Sequence, residues 1–303
     1  MKKYLLFLFP SLIVLFFAII MAGCSQNNPS PQASPTASPT PTPTQSTSYI
    51  IRLFLTYPSN PSAKGKTYDS QNFGSAYSID GINFTQEAGA RLGPLANLSD
   101  PDVIKESSSK WVMFYSKAVS SITSEAQQLF KATSTTPNGA FSDDASFQNG
   151  YGNISSTIKI GSTFYVFGAS TEGIAISTYN TTADALSYVK TAVSGFAVDP
   201  SVIQLSTNSF KMYYKVSDNT YQANSTDGLT WTDNALLLNN AEVPGAVYVN
   251  NTIYLYYIDS ASSPTQGKIL VKISSDNGLT WSSAQVVTGL QDAAADPDPV
   301  IYE

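Results

Sequence analysis

The chain has 303 residues, with 16 basic and 22 acidic side chains, one cysteine and no histidine. The absence of histidine excludes Ser-His-Asp and Cys-His catalysis and every histidine-ligated metal site. A single cysteine excludes a disulfide framework and a cysteine-rich metal site. The net charge of −6 provides no basic surface for nucleic acid. The chemistry that is left is that of carboxylates, hydroxyls, amides and tyrosines.

Residues 1–23 have the organisation of an export signal. Lys2 and Lys3 precede a long apolar stretch, and small residues stand directly before Cys24. These small residues before the only cysteine resemble the bacterial lipobox, in which the signal is cut before a cysteine that carries lipids. The resemblance implies lipidation of Cys24 and an exported, lipid-anchored protein of the cell envelope, at the outer membrane or the cell surface. A plain membrane-anchoring helix is the alternative interpretation.

Residues 24–48 are predicted to be a tether. After Cys24 this segment contains only Ser, Thr, Pro, Gln, Asn and Ala, with no charged residue. Such a composition cannot bury a core, and its prolines favour an extended chain. We therefore expect an extended spacer between the lipidated cysteine and a folded domain.

The remaining residues, 49–303, contain a repeat. Three segments begin with Asp-Pro and continue into β-branched residues; the first and the last start 196 residues apart, which is four times 49. They are Asp100–Ile104, Asp199–Ile203 and Asp296–Ile301. A period near 49 with about four short strands per unit predicts an all-β fold, a five-bladed β-propeller. The strand at residues 50–55 has no partner before it and residues 296–303 have none after them, so we expect these two strands to pair and close one blade.

A second repeat lies out of phase with the first. Each copy has an aspartate, a glycine one or two positions later, one further residue, then Thr or Asn, and then an aromatic residue; the aspartates are Asp80, Asp227 and Asp276. This pattern resembles the Asp-box of sialidases and other β-propellers. In such a hairpin tip the carboxylate caps backbone N–H groups and the glycine takes a positive φ. We expect a structural role for these three aspartates.

The first repeat predicts a cluster of carboxylates at the centre of the ring. Residues at the start of each innermost strand gather at one mouth of a propeller, which places Asp100, Asp199, Glu242 and Asp296 around one axis. The third blade offers Tyr151 or Asn153 at the same place. Carboxylates that converge in a pocket shift one another's pKa values, so that one can hold a proton while another is ionised. Glycoside hydrolysis requires this arrangement.

These motifs resemble the five-bladed glycoside hydrolases of family 43, with the fructan-cleaving family 32 as a more distant relative. The resemblance implies that Asp100 is the general base, that Asp199 in Asp-Pro-Ser orients the acid and raises its pKa, and that Glu242 in Glu-Val-Pro is the general acid. Val243 stands where the family has glycine. The resemblance further implies an inverting hydrolase of arabinan- or xylan-like poly- or oligosaccharide, with Asp296 and the residues of the third blade in substrate binding.

Several alternatives stay open at this point. Asp-Pro at the start of a strand can simply end a loop and cap a turn, and the propeller can be a non-catalytic surface protein that binds glycan or protein, or a purely structural envelope protein. A sialidase is rejected, because those enzymes hold the substrate carboxylate with three arginines and this chain has only Arg52 and Arg91. We expect a carbohydrate substrate, a membrane partner through the lipid, a monomer and no cofactor; nothing in the sequence indicates a channel calcium ion.

Overall fold

The computed structural model describes residues 49–59, 70–118, 127–149 and 152–302. The predicted signal, Cys24, the predicted tether and Tyr151 lie outside these ranges. Within them the chain forms 21 β-strands and no α-helix. Accordingly, the described part of the chain has no helix that is long and apolar enough to cross a membrane.

The strands form five antiparallel sheets, which are the blades of a propeller. The predicted all-β, five-bladed β-propeller is therefore confirmed. Blade I contains β21 (Ala295–Tyr302), β1 (Ile50–Pro58), β2 (Gln71–Ser78), β3 (Thr85–Gln86) and β4 (Leu92–Leu95). Blade II contains β5 (Leu98–Ser107), β6 (Lys110–Ala118), β7 (Gln127–Ser134) and β8 (Ser142–Asn149). Blade III contains β9 (Asn153–Ile160), β10 (Thr163–Ser170), β11 (Gly173–Asn180) and β12 (Ala185–Ser194). Blade IV contains β13 (Val198–Ser206), β14 (Ser209–Val216), β15 (Asn219–Ser225) and β16 (Thr232–Leu238). Blade V contains β17 (Ala241–Val249), β18 (Thr252–Asp259), β19 (Ile269–Ser274) and β20 (Gln285–Val286).

The two ends of the described chain close the ring in blade I. β1 pairs with β21 in antiparallel register, from Ile50 opposite Tyr302 to Thr56 opposite Ala295. β21 is the innermost strand of this blade, and it contacts the innermost strands of the two neighbouring blades, β5 and β17. The predicted pairing of the terminal strands is confirmed, and it covers the edge of β1 that would otherwise be open.

The hydrophobic core lies between the blades rather than at the centre. Neighbouring side chains of one strand point to opposite faces of the sheet, so each blade packs against both of its neighbours. In β6, Met113 packs toward blade I and Phe114 packs toward blade III, and both are fully buried. This two-sided burial explains why the second strand of a blade is a continuous apolar and aromatic run.

A layer of hydrogen bonds joins the innermost strands of successive blades. At the same position in four of these strands, a short polar side chain accepts a hydrogen bond from a backbone N–H of the next blade, at 2.8–3.0 Å. The pairs are Asp298 with Val103, Asp102 with Thr157, Ser156 with Val202, and Ser201 with Ala246. These bonds satisfy backbone groups that face the channel instead of a neighbouring strand.

The innermost strands of blades V and I meet without this hydrogen bond. Gly245 occupies the position of the accepting side chain, and Pro299, which has no N–H to donate, occupies the position of the donor. A Cβ atom on Gly245 would lie 1.9 Å from the carbonyl oxygen of Pro297. The blade that closes the ring therefore replaces a hydrogen bond with close backbone contact, for which only glycine has room.

Gly245→Ala is expected to destabilise the propeller by about 1–3 kcal/mol, because the added methyl group must displace the backbone of β21. Chemical denaturation measures this change in the free energy of unfolding. Gly139→Ala is the matched control, since the nearest atom to its added Cβ is the hydroxyl of Thr136, at the end of a side chain that can rotate. Equal stability of the two variants would contradict the close contact.

The Asp-box turns lie between the third and fourth strands of blades I, IV and V. In blade IV, one carboxylate oxygen of Asp227 accepts hydrogen bonds from the backbone N–H of Leu229 and Thr230, Gly228 has a φ of 72°, and Trp231 is buried. The turns of Asp80 and Asp276 have the same capping bonds. These aspartates act as local caps, at the ends of the blades opposite the start of the innermost strands.

Candidate active site

Each innermost strand has a β-bulge at the same place. The residue at the bulge has a positive φ of 49–54° in all five blades, and the pairing with the second strand shifts register there. The five residues are Asp296, Asp100, Ile154, Asp199 and Val243. A bulge turns a side chain away from the regular alternation of the strand. A positive φ is unfavourable for Ile and Val, so the geometry of the ring imposes the bulge even where no carboxylate uses it.

The bulges bring the predicted aspartates together at one end of the central channel. Asp100, Asp199 and Asp296, which we call the rim carboxylates, line a cavity of about 40 Å³ to which all five blades contribute. One carboxylate oxygen of Asp296 accepts a hydrogen bond from the backbone N–H of Asp100 at 3.3 Å. The later residues of the same strands line a wider part of the channel, of about 320 Å³. The rim cavity is large enough for water molecules and too small for a sugar ring.

Glu242 is offset from the rim carboxylates by one residue. In β17 the bulge position belongs to Val243, so Glu242 corresponds to Ser99 in β5 and to Val198 in β13. Its carboxylate accepts a hydrogen bond from the ammonium group of Lys215 at 2.7 Å. Glu242 therefore lies at the edge of the rim, in an ion pair with the neighbouring blade.

Lys215 links two of the predicted site residues. It is near the end of β14, half-buried, and its Nζ atom lies 3.8 Å from a carboxylate oxygen of Asp199 as well as 2.7 Å from Glu242. Sequence reasoning missed this residue. The strand register is what points to Lys215, because this residue pairs directly with Val198, the residue before Asp199.

Burial raises the pKa values of all three rim carboxylates. The pKa of Asp199 rises to about 7, an effect that Lys215 opposes and that Asp296 and Glu242 strengthen. The pKa of Asp100 lies well above its ordinary value, since Asp296 and Asp199 add to the effect of burial. The pKa of Asp296 is raised as well. A carboxyl with a pKa near 7, as Asp199 has, exchanges its proton in the range where general acids and bases operate.

The layer below the rim contains two more buried carboxylates, Asp102 and Asp298. Burial raises the pKa of both, and Asp102 raises that of Asp298 further. Asp102 also accepts hydrogen bonds from the hydroxyls of Ser155 and Thr157 in blade III. Their hydrogen bonds to the next blade give these two aspartates a structural role at the joints between blades.

Of the residues predicted for substrate binding, Asp296 lies at the rim. Asn153 directs its amide group to the backbone carbonyl of Gln127 at 3.3 Å, so it bridges blades II and III and does not line the rim cavity. In the described part of the chain, no group of three or more acidic side chains is arranged to hold a metal ion.

Comparison with known proteins identifies the fold. No protein-family model and no curated protein matches the sequence. Among solved structures, an exo-1,5-α-L-arabinanase from a bovine ruminal metagenomic library is similar, with a TM-score of 0.55 and 13% identity over 78% of this chain and 92% of that one. An exo-β-1,3-galactanase from Phanerochaete chrysosporium, solved with β-1,3-galactotriose, has a TM-score of 0.53 and 15% identity, over 77% of this chain and 63% of that one.

A third solved structure is an α-L-arabinanase from Cellvibrio cellulosa in complex with arabinohexaose. It has a TM-score of 0.50 and 12% identity, over 73% of this chain and 90% of that one. At such low identity the similarity shows the architecture alone. This chain thus has the five-bladed propeller fold of the arabinanases and galactanases among the glycoside hydrolases.

Proposed function

We propose that this protein is a glycoside hydrolase that inverts the anomeric centre of arabinan- or xylan-like poly- or oligosaccharides. The observation that carries the proposal is the rim, where Asp100, Asp199 and Asp296 converge with raised pKa values and Glu242 lies beside them. The fold is that of proteins whose names state action on arabinan and galactan. Fold alone does not decide activity, so the proposal depends on the carboxylates.

In the proposed reaction, ionised Asp100 takes a proton from a water molecule that attacks the anomeric carbon. Inversion requires this water to lie between the base and the sugar, which separates the base and acid carboxyls by roughly 6.5–9.5 Å. The rim cavity has room for such a water beside Asp100. The sugar itself lies above the rim, because the cavity is too small to admit it.

Glu242 protonates the departing oxygen in this proposal, and Asp199 orients it. In the free protein the carboxylate of Glu242 is bonded to Lys215, so the bound substrate must separate the two side chains before Glu242 can reach the glycosidic oxygen. Lys215 is thus the positioning residue that holds the acid at the edge of the rim.

The same ion pair favours a second candidate function. A propeller in which Glu242 stays bound to Lys215 offers no acid to a leaving group, and it would act as a non-catalytic protein that binds glycan or protein at the cell surface. The two candidates differ in one measurable property, which is turnover.

The test is a panel of nitrophenyl glycosides together with arabinan, xylan and fructan, assayed with the wild-type chain and with Glu242→Gln. We expect the wild type to hydrolyse at least one polysaccharide and the variant to lose about 10²–10⁴-fold in turnover on it. The loss should be much smaller on a nitrophenyl glycoside, whose leaving group departs without a proton. Proton NMR of the first product distinguishes inversion from retention. Absence of turnover on the whole panel would support the binding protein.

A further inference from the structure

Phe196 is an exposed aromatic side chain on the face of the propeller that carries the rim. Its side chain is 78% exposed. It lies in the loop that enters β13, three residues before Asp199. Three successive Cα–Cα steps span at most about 11 Å, so the Cα atoms of Phe196 and Asp199 lie within that distance of each other. Of the large hydrophobic residues that the described chain exposes, Phe196 is the one that precedes an innermost strand on the carboxylate side.

The loop around Phe196 is held in place on both sides. The N–H of Gly195 donates to the carbonyl of Glu172 at 3.0 Å, and the N–H of Ala197 donates to the carbonyl of Gly195 at 3.0 Å. Ala197 is buried, and Val198 pairs with Lys215 in the sheet of blade IV. The backbone that presents the ring is therefore fixed, although the ring itself is open to solvent.

An aromatic ring that a fixed backbone presents beside carboxylates suits a sugar. One face of a furanose or pyranose ring consists largely of C–H groups, which pack on an aromatic ring, while the hydroxyls on its edge hydrogen-bond to polar groups. Binding sites for such ligands combine apolar surface with a few placed polar groups. Because the backbone around Phe196 is already ordered, ligand binding costs little backbone conformational freedom there.

The charge around the rim restricts the ligand further. Among the described residues, the cation beside Asp100, Asp199, Asp296 and Glu242 is Lys215, which is already paired with Glu242. An acidic sugar would meet this excess of carboxylates and be repelled. The surroundings of Phe196 therefore favour an uncharged sugar.

We propose that Phe196 is a stacking platform for a neutral sugar unit of the glycan chain, next to the unit that lies over the rim. This inference rests on the proposed function and adds a residue that determines specificity. The platform binds glycans of at least two units more tightly than single glycosides, since only the longer ligand reaches from the rim to Phe196.

The test compares Phe196→Ala, Phe196→Tyr and the control Leu279→Ala. Leu279 is 82% exposed in an Asp-box turn on the opposite face. Binding is measured by affinity electrophoresis in gels that contain arabinan or xylan, and kinetics are measured on the same polysaccharides and on a nitrophenyl monoglycoside. Thermal midpoints equal to that of the wild type confirm that each exposed substitution leaves the fold intact.

We expect Phe196→Ala to weaken polysaccharide retention and raise KM on polysaccharide about three- to tenfold, with KM on the monoglycoside unchanged. Phe196→Tyr and Leu279→Ala should match the wild type. If Phe196→Ala hydrolyses and binds polysaccharide like the wild type, the platform is refuted while the hydrolase stands. If the gels retain the wild type but not Phe196→Ala, and neither has turnover, the platform stands and the hydrolase is refuted. If no polysaccharide retains the wild type, the platform is refuted.

Discussion

A chain that ends at Ala294 is expected to lose the cooperative unfolding of the full propeller, or to melt at least about 10 °C lower. The deletion removes β21, which pairs with β1 and contacts β5 and β17, so the ring opens at its centre. It also removes the hydrogen bond from Val103 to Asp298 and the close contact at Gly245. A loss of several kcal/mol corresponds to a shift of this size in a domain of this length.

Differential scanning calorimetry measures the effect of this deletion. The matched control is a chain that ends at Tyr302, which keeps every paired residue of β21 and should melt like the full chain. A truncated protein that melts within two or three degrees of this control would show that the closure of blade I does not stabilise the ring.

The wild-type protein is expected to be more stable at pH 5 than at pH 8, and Asp199→Asn is expected to reduce this difference. The pKa of Asp199 is about 7 in the folded protein, against about 3.9 in an unfolded chain. Between these values the folded state binds more protons than the unfolded state, so the free energy of unfolding falls as the pH rises. Asparagine has no proton to lose, and the variant should therefore be more stable than the wild type at pH 8.

Urea denaturation at pH 5 and at pH 8 measures the two differences. Asp100 and Asp296 also have raised pKa values, so part of the pH dependence should persist in Asp199→Asn. Asp276→Asn is a control in which loss of the carboxylate should lower stability instead of raising it. Capping bonds lower the pKa of Asp276 to about 2, so the stabilisation that its carboxylate provides is lost only in strong acid. This control should be less stable than the wild type at pH 5 and at pH 8 alike. A wild type that is most stable at pH 8 would contradict the raised pKa of Asp199.

The blades and their order were predictable because their signals are local. Each Asp-Pro segment marks the start of an innermost strand, and the spacing of 49 residues sets the number of blades. The convergence of Asp100, Asp199 and Asp296 then follows from the symmetry of the ring. The closure of blade I was predictable for a similar reason. Residues 50–55 have the pattern of the second strand of a blade with no first strand before them, and residues 296–303 have that of a first strand with no second strand after them.

The remaining features of the site depend on register and on contacts between blades. Glu242 was expected to be equivalent to the aspartates, but Val243 occupies the bulge, and a shift of one residue cannot be inferred from a short motif. Lys215 reaches the rim from the second strand, where its side chain resembles that of any other strand lysine. Asn153 has the correct position in the chain, yet its amide bridges two blades.

The place where the chain enters the propeller has a consequence for access. Ile50 lies opposite Tyr302, at the far end of β21 from Asp296, and the hydroxyl of Tyr49 hydrogen-bonds that of Tyr254 beside the Asp-box glycine Gly81. The chain therefore enters the propeller on the Asp-box face, at the other end of the channel from the carboxylate rim. Because Phe196 precedes Asp199 on the rim face, a ligand that approaches the rim does not meet the point where the chain enters.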